Sequence, residues 1–188
     1  IAQADIIFEV FLHFSTLLAI LIYFKKDILA IRMKEAKLIV FGSIPVVVVG
    51  LLFKEQLEVV FGSIVIVSLL LIVTGILNLV TDHKLNNGKK SKEAKKEIGV
   101  KEAIIIGIFQ TFAILPGISR SGSTVAGGVL QNIERKKAFR FSFLLVIPVI
   151  LGASFLQLLE VVGEGGLSAG GLNISTLVVG GLTAFISG

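Results

Sequence analysis

Long apolar stretches alternate with short polar segments along this chain of 188 residues. A membrane-spanning helix needs roughly 20 predominantly apolar residues. The pattern predicts five spans, at residues 6–24, 38–53, 59–80, 141–159 and 174–188. The second is short, since it rises about 24 Å against a bilayer core of about 30 Å. The predicted fold class is therefore all-α, a polytopic membrane protein built as a helical bundle.

A further apolar stretch, residues 102–130, is interrupted in its middle by Pro116, Gly117 and several polar side chains. The part before the break holds only about 14 residues, a length that suits a re-entrant segment better than a full span. We therefore predict a re-entrant helical hairpin over residues 102–130. Together with the five spans it makes one transmembrane domain over residues 1–188.

Composition supports the membrane assignment, because 54% of the residues are hydrophobic and only 16% are charged. Soluble domains average about 45–50% apolar and about 25% charged residues. The absence of cysteine excludes disulfides, thiolate catalysis and cysteine-based zinc sites. Because the sequence starts at Ile1 rather than Met and stops inside an apolar run, we expect it to be truncated at both ends.

The net charge of +5 comes from basic residues in short loops, which indicates membrane orientation and not nucleic-acid binding. If residues 102–130 form a hairpin, loops 25–37, 81–101 and 131–140 share one side of the membrane. These loops hold five, seven and four of the 18 Lys and Arg residues. A full crossing would put the third loop outside. The positive-inside rule therefore favours the hairpin and places all three loops in the cytoplasm.

Candidate chemistry lies at the break in this hairpin, around Arg120. An arginine at membrane depth costs at least about 2.5–3.5 kcal/mol, so it is a functional candidate by default. Hydroxyl groups and glycines surround it: Ser119, Ser121, Ser123, Thr124, Gly117 and Gly122. A second half-helix is predicted to begin near Ser121, with free N–H groups and the positive end of its dipole at the break. Arginine also fits phosphate oxygens bidentately, so the segment predicts an anion site, with phosphate the best candidate.

Other interpretations exist for the polar residues. Arg120 alone could cap carbonyl groups or pair with an acid such as Glu9, which lies within the first span. His13, in the same span, is a proton-relay candidate but is more often a hydrogen-bonded structural residue. His83 lies in a charged loop, where we expect it to be solvated.

The break also carries a recognisable motif. The segment Pro116-Gly117-Ile118-Ser119-Arg120-Ser121-Gly122-Ser123-Thr124, preceded by Gly107-Ile108-Phe109-Gln110, closely resembles the second signature of the undecaprenyl-diphosphatase (bacitracin-resistance) family. The likeness continues at Phe141-Ser142-Phe143-Leu144, and upstream at Phe8-Glu9-Val10 and Gly42-Ser43-Ile44-Pro45. It covers nearly the whole chain.

The resemblance implies hydrolysis of undecaprenyl diphosphate to undecaprenyl phosphate and inorganic phosphate, which recycles the lipid carrier of cell-wall synthesis in the plasma membrane. It implies two inverted repeats whose re-entrant hairpins meet at the site. Carried over by motif, Arg120, Ser119 and Thr124 are the catalytic candidates, and Gly117, Ser121, Gly122 and Ser123 are substrate-binding. The family's divalent cation, Mg²⁺ or Ca²⁺, is implied as cofactor, whereas the metal-holding residues and the oligomeric state are not indicated.

The sequence departs from the family at the first motif, a Glu-x-x-x-Glu pair followed by Ser-Ser-Thr-Gly-His. We expect that motif just before Ile1, and in the family it supplies the proposed nucleophile and acid/base groups. Asp5 and Glu9 imitate the acidic pair, but Phe8-Glu9-Val10 fits a later segment better. Two other functions remain open on the residues alone: a transporter or flippase of an anionic polyprenyl lipid or phosphate, and a non-catalytic membrane scaffold.

Overall fold

The computed structural model describes residues 3–87, 97–163 and 174–187. Throughout these ranges the chain is helical or forms short connections, without a β-strand. The helices are α1 (Gln3–Tyr23), α2 (Lys25–Leu29), α3 (Met33–Leu52), α4 (Lys54–Phe61), α5 (Ile64–Asn87), α6 (Val100–Phe112), α7 (Arg120–Leu130), α8 (Arg135–Gly163) and α9 (Ile174–Ser187). The predicted all-α class is confirmed.

Three of the described helices are long and apolar enough to cross a membrane: Met33–Leu52, Ile64–Asn86 and Arg135–Gln157. Each of them extends past one end of its predicted span, because the hydrogen bonds of a helix continue into polar residues that reach water beyond the apolar core. The predicted short span 38–53 thus belongs to a helix of 20 residues, which rises about 30 Å. The chain is a polytopic membrane protein.

Two predicted boundaries differ from the structure. The span expected at 59–80 is divided, because α4 ends at Phe61 and α5 begins at Ile64. Residues 54–58, between the second and third predicted spans, are helical as part of α4. The loop expected at 131–140 is shorter, since α8 begins at Arg135. Lys and Arg are good helix formers, so a basic run at a membrane boundary extends the helix.

The described chain divides into two compact units, one of Ile1–Ile31 with Val146–Gly188 and one of Arg32–Leu145. In the first unit, α1 packs against α9. The ring of Phe8 lies against Gly180 and that of Phe11 against Gly181, where a Cβ would collide with either ring. The two glycines therefore permit a close helix–helix contact.

In the second unit α3 and α6 make the most extensive contact, and their backbones meet at Gly42 and Gly107. A Cβ on Gly107 would collide with the carbonyl oxygen of Gly42. Further along, Gly50 lies beside Ile114, so the two helices run in parallel. Small residues let membrane helices approach closely, since packing rather than the hydrophobic effect drives their association.

Two ion pairs of the second unit lie at one of its ends. Lys34 Nζ lies 3.0 Å from a carboxylate oxygen of Glu97, and Arg140 lies 2.8 Å from one of Glu35. The hydrogen bond from Lys34 holds the pKa of Glu97 below its usual range. Residues from all three predicted basic loops, 25–37, 81–101 and 131–140, thus meet at this end of the unit, which we call the polar end.

Candidate functional site

Helices α6 and α7 form an antiparallel hairpin. Phe109 packs on Gly127, and Ile106 on Gly128. The side chain of Gln131 donates to the carbonyl of Glu102 at 3.3 Å, so the hairpin starts and finishes at the same place. That place is the polar end, because Lys84 at the end of α5 donates to Leu130 O at 2.7 Å. The helical hairpin follows the predicted residues; its re-entry into a membrane stays a prediction.

The tip of the hairpin turns at Gly117, whose φ is +90°. L-residues rarely adopt this backbone conformation, whereas glycine does so readily. A Cβ at this position would also lie 2.6 Å from the carbonyl oxygen of Val67 on α5. Glycine at 117 is therefore required twice, by the turn itself and by its close approach to α5.

Thr74 of α5 fixes the tip. Its hydroxyl donates to Gly117 O at 2.8 Å and accepts the N–H of Ser119 at 3.1 Å. Thr74 lies about 15 Å along α5 from Ile64 and about 20 Å from Asn87. The tip thus meets α5 near the middle of that helix. Sequence reasoning missed Thr74, although Thr74 and Asn78 lie in the predicted span 59–80 and continue at helical spacing into Thr81 and Asp82 just beyond it.

Ser119 is the N-cap of α7. Its hydroxyl accepts the N–H of Gly122 at 3.1 Å, and its carbonyl accepts the N–H of Ser123 at 2.9 Å. Side-chain capping of this kind satisfies donors that a helix start otherwise leaves free. Among the described residues, the N–H groups of Arg120 and Ser121 have no acceptor. The half-helix begins one residue before the predicted start, and two donors remain available at its positive end.

Arg120 is the first residue of α7 and is half-buried. In the part of the chain that the structure describes, its guanidinium forms no hydrogen bond or ion pair. The side chains of Glu9 and Asp5 lie outside the described residues, so the pairing proposed for Glu9 stays untested. A half-buried cation beside two free N–H groups is suited to an anion with several acceptor oxygens.

The other hydroxyl side chains of the motif differ in their exposure to solvent. Ser121 is exposed, whereas Ser123 is 2% and Thr124 0% exposed. Thr124 donates to the carbonyl of Arg120 at 2.9 Å and also contacts the hydroxyl of Ser142 on α8. As placed, Thr124 supports the backbone of Arg120 and faces away from solvent. The catalytic and binding roles assigned to Ser119, Thr124 and Ser123 by motif stay predictions.

The hairpin also contains two buried polar side chains, one on each of its helices. Gln110 of α6 is 1% exposed, and neither its side-chain oxygen nor its nitrogen has a hydrogen-bond partner among the described residues. The hydroxyl of Ser123 is also without one. Buried polar groups left unpaired destabilise a fold by about 1–3 kcal/mol each. The hairpin therefore holds polar atoms that its own packing does not satisfy.

The described residues of the hairpin tip do not include a cluster of metal-binding side chains. No group of three His, Asp or Glu side chains is found within residues 3–87, 97–163 and 174–187. The tip offers hydroxyls, amide N–H groups and a guanidinium, which are mainly donors and do not fit a divalent cation by themselves. His13 and His83 are exposed on α1 and α5, and neither belongs to the tip.

Comparison with known proteins gives consistent results. The model of the bacitracin resistance protein BacA family matches residues 2–188. An undecaprenyl-diphosphatase of Rhodopirellula baltica is 39% identical over 96% of this chain and 69% of its own length. One of Christiangramia forsetii is 37% identical over 99% of this chain and 71% of its own. One of Halothermothrix orenii is 39% identical over 98% of this chain and 71% of its own length.

Proposed function

Because the chain belongs to the bacitracin resistance protein BacA family, we propose that it hydrolyses undecaprenyl diphosphate to undecaprenyl phosphate and inorganic phosphate. This reaction recycles the lipid carrier of cell-wall synthesis. The observation that carries the proposal is the start of α7, where Arg120 lies at the hairpin tip together with two N–H groups that have no acceptor among the described residues. Similarity to enzymes of this name supports hydrolysis over transport.

Arg120 binds the diphosphate in this proposal. Its planar guanidinium contacts two phosphate oxygens at once, and the N–H groups of Arg120 and Ser121 bind others. Charge builds on the phosphate oxygens as the anhydride bond breaks. Donors that are already oriented stabilise this charge without reorganising, which lowers the barrier. The exposed hydroxyl of Ser121 adds a further donor.

Ser119 and Thr124 act as positioning residues in the same proposal. Ser119 caps α7 and is held by Thr74, while Thr124 supports the carbonyl of Arg120. These bonds fix the backbone that carries the guanidinium. We assign the nucleophile and the acid/base groups to none of these residues.

The divalent cation, Mg²⁺ or Ca²⁺, remains a proposal that rests on family resemblance. Such a cation would bind the substrate phosphates and reduce their negative charge. Since the donor set at the tip does not fit a cation, no catalytic role here depends on one.

We also propose that α6 and α7 re-enter the plasma membrane from the cytoplasm, with loops 25–37, 81–101 and 131–140 on the cytoplasmic side. Two features support this. The hairpin starts and finishes at the polar end, where basic residues concentrate. Its tip contacts α5 near the middle of that helix. Membrane lipids would surround the spans, many of whose large apolar side chains are exposed.

Phosphate release tests the enzymatic proposal. The full-length protein in detergent should convert undecaprenyl diphosphate into equal amounts of undecaprenyl phosphate and inorganic phosphate. Both products should be followed, since equal amounts show that one anhydride bond is cleaved per turnover. Release no faster than in a protein-free control would contradict the proposed activity.

A further inference from the structure

An open cleft of about 300 Å³ lies in the second unit, between α5, α7 and α8. Its apolar walls are Leu85, Val125, Phe139 and Phe143, and its polar lining is Asn78, Thr81, Asp82, Ser121 and Arg135, with Gly122 beside them. The volume is at the lower end of the range for small-ligand sites, about 300–1,000 Å³. It suits a small anion with its water.

The cleft runs from the hairpin tip towards the polar end. At the inner end, Asn78 lies against Gly122, since its Oδ1 would be 2.9 Å from a Cβ on that glycine. Along α5 the lining extends from Asn78 to Leu85, a distance of about 10 Å. At the outer end is Arg135, in the first turn of α8. The cleft thus joins the proposed diphosphate site to the basic surface.

The two charged residues of the cleft are not paired with each other. Arg135 is exposed, and within the described residues its guanidinium has no hydrogen bond or ion pair. Asp82 accepts a hydrogen bond from Asn86 at 2.9 Å, and no cation among the described residues forms an ion pair with its carboxylate. A small anion in the cleft would therefore be attracted by Arg135 and repelled by Asp82. Such an arrangement favours passage over tight binding.

We propose that this cleft is the exit path of inorganic phosphate, in which Arg135 draws the anion outwards and Asp82 keeps its binding weak. The inference rests on the proposed function, because that reaction supplies the phosphate at the tip. Ser121 lines the inner end and belongs to both sites. A cation along the path, such as Arg135, raises the local concentration of the product dianion there and lowers the barrier to its leaving a site of positive potential.

Direct phosphate binding tests the path without any need for turnover. Equilibrium dialysis of labelled inorganic phosphate against the full-length protein in detergent gives the Kd. Arg135→Ala should weaken binding roughly ten-fold, because one charge-assisted contact is lost. Asp82→Asn should tighten it roughly three-fold, since a repulsive charge is removed. Lys136→Ala, an equal charge change at an exposed residue outside the cleft, should leave the Kd unchanged.

The two variants are expected to change the Kd in opposite directions. This makes the result decisive, since unfolding of a variant cannot tighten phosphate binding. Inhibition of turnover by added phosphate should follow the same order in the active protein. Equal Kd values for Arg135→Ala, Asp82→Asn and the parent would overturn the exit path, even if turnover is normal. Absence of turnover in the parent would refute the proposed function instead.

A lipid headgroup is the other source of a phosphate group. Adding anionic phosphatidylglycerol to the micelles should not displace labelled phosphate beyond the effect of an equal concentration of salt. Displacement that exceeds the salt effect and disappears in Arg135→Ala would identify the cleft as a lipid headgroup site and overturn the exit path.

Discussion

Replacing Gly117 by alanine perturbs the hairpin tip with a single methyl group. Two costs combine at this position. The backbone φ of +90° disfavours any L-residue, and holding a residue in such a sparsely populated conformation costs about 1–3 kcal/mol. The added Cβ would also lie 2.6 Å from Val67 O, a backbone atom that cannot turn aside as a side chain would.

The second cost resembles overpacking of a core, which is typically about 1–3 kcal/mol. The sum is about 2–6 kcal/mol. For a domain of 150–250 residues, each kcal/mol shifts the Tm by about 2–4 °C. We therefore expect Gly117→Ala to lower the Tm by roughly 4–24 °C. If the chain relieves the clash by moving the tip, the bonds of Thr74 to Gly117 and Ser119 lengthen and phosphate release falls.

Thermal unfolding followed by circular dichroism at the helical band measures this effect. The matched control is Gly75→Ala on α5, where a Cβ would meet nothing within 4 Å. The control should be neutral, or more stable by up to about 1 kcal/mol, because alanine is the better helix former. Equal Tm values for the two variants would refute the described turn and its contact with α5.

Three further predictions concern hydrogen bonds, burial and topology. Thr74→Val keeps the shape of the side chain but leaves Gly117 O and the Ser119 N–H unpaired. We expect the free energy of unfolding to fall by about 1–3 kcal/mol per unpaired group, measured by thermal unfolding, and phosphate release to be at least ten-fold slower. Ser123→Ala removes a buried hydroxyl that has no partner in the described part of the chain, so the Tm should stay the same or rise and phosphate release should persist. A large loss of release with an unchanged Tm would show that Ser123 contacts substrate. The chain has no cysteine, so a single introduced cysteine reports its own accessibility. Lys136→Cys should react with an impermeant thiol reagent only from the cytoplasmic side, and Ser63→Cys only from outside. The reverse pattern of labelling would overturn the topology.

Sequence periodicity and family resemblance predicted much of the architecture. The break at Pro116 and Gly117 and the half-helix starting near Ser121 follow from local chemistry, since proline, glycine and capping serine act on their immediate neighbours. The structure starts α7 at Arg120, within a residue of the predicted position, and its break contains Pro116 and Gly117, although α6 already ends at Phe112. Helix bounds were less accurate, because basic residues such as Arg135 extend helices beyond the apolar core.

Contacts between distant residues could not be predicted in this way. Thr74 lies 43 positions from Gly117, and nothing local to either residue indicates that they meet. The pairing of Thr124 with Ser142 also depends on how α7 packs against α8. The same packing separates Ser121 from its neighbour Ser123, one exposed and the other buried. A motif gives the residue types of a site, whereas helix packing decides which of them face a ligand.

The central claim is that the start of α7 binds the diphosphate through Arg120. Phosphate release from undecaprenyl diphosphate by Arg120→Ala, measured beside the parent protein at matched Tm, tests it most directly. We expect at least a hundred-fold loss of release, equivalent to about 2.7 kcal/mol of transition-state stabilisation, with thermal unfolding little changed. Turnover equal to that of the parent would contradict the assignment of Arg120 and with it the proposed site.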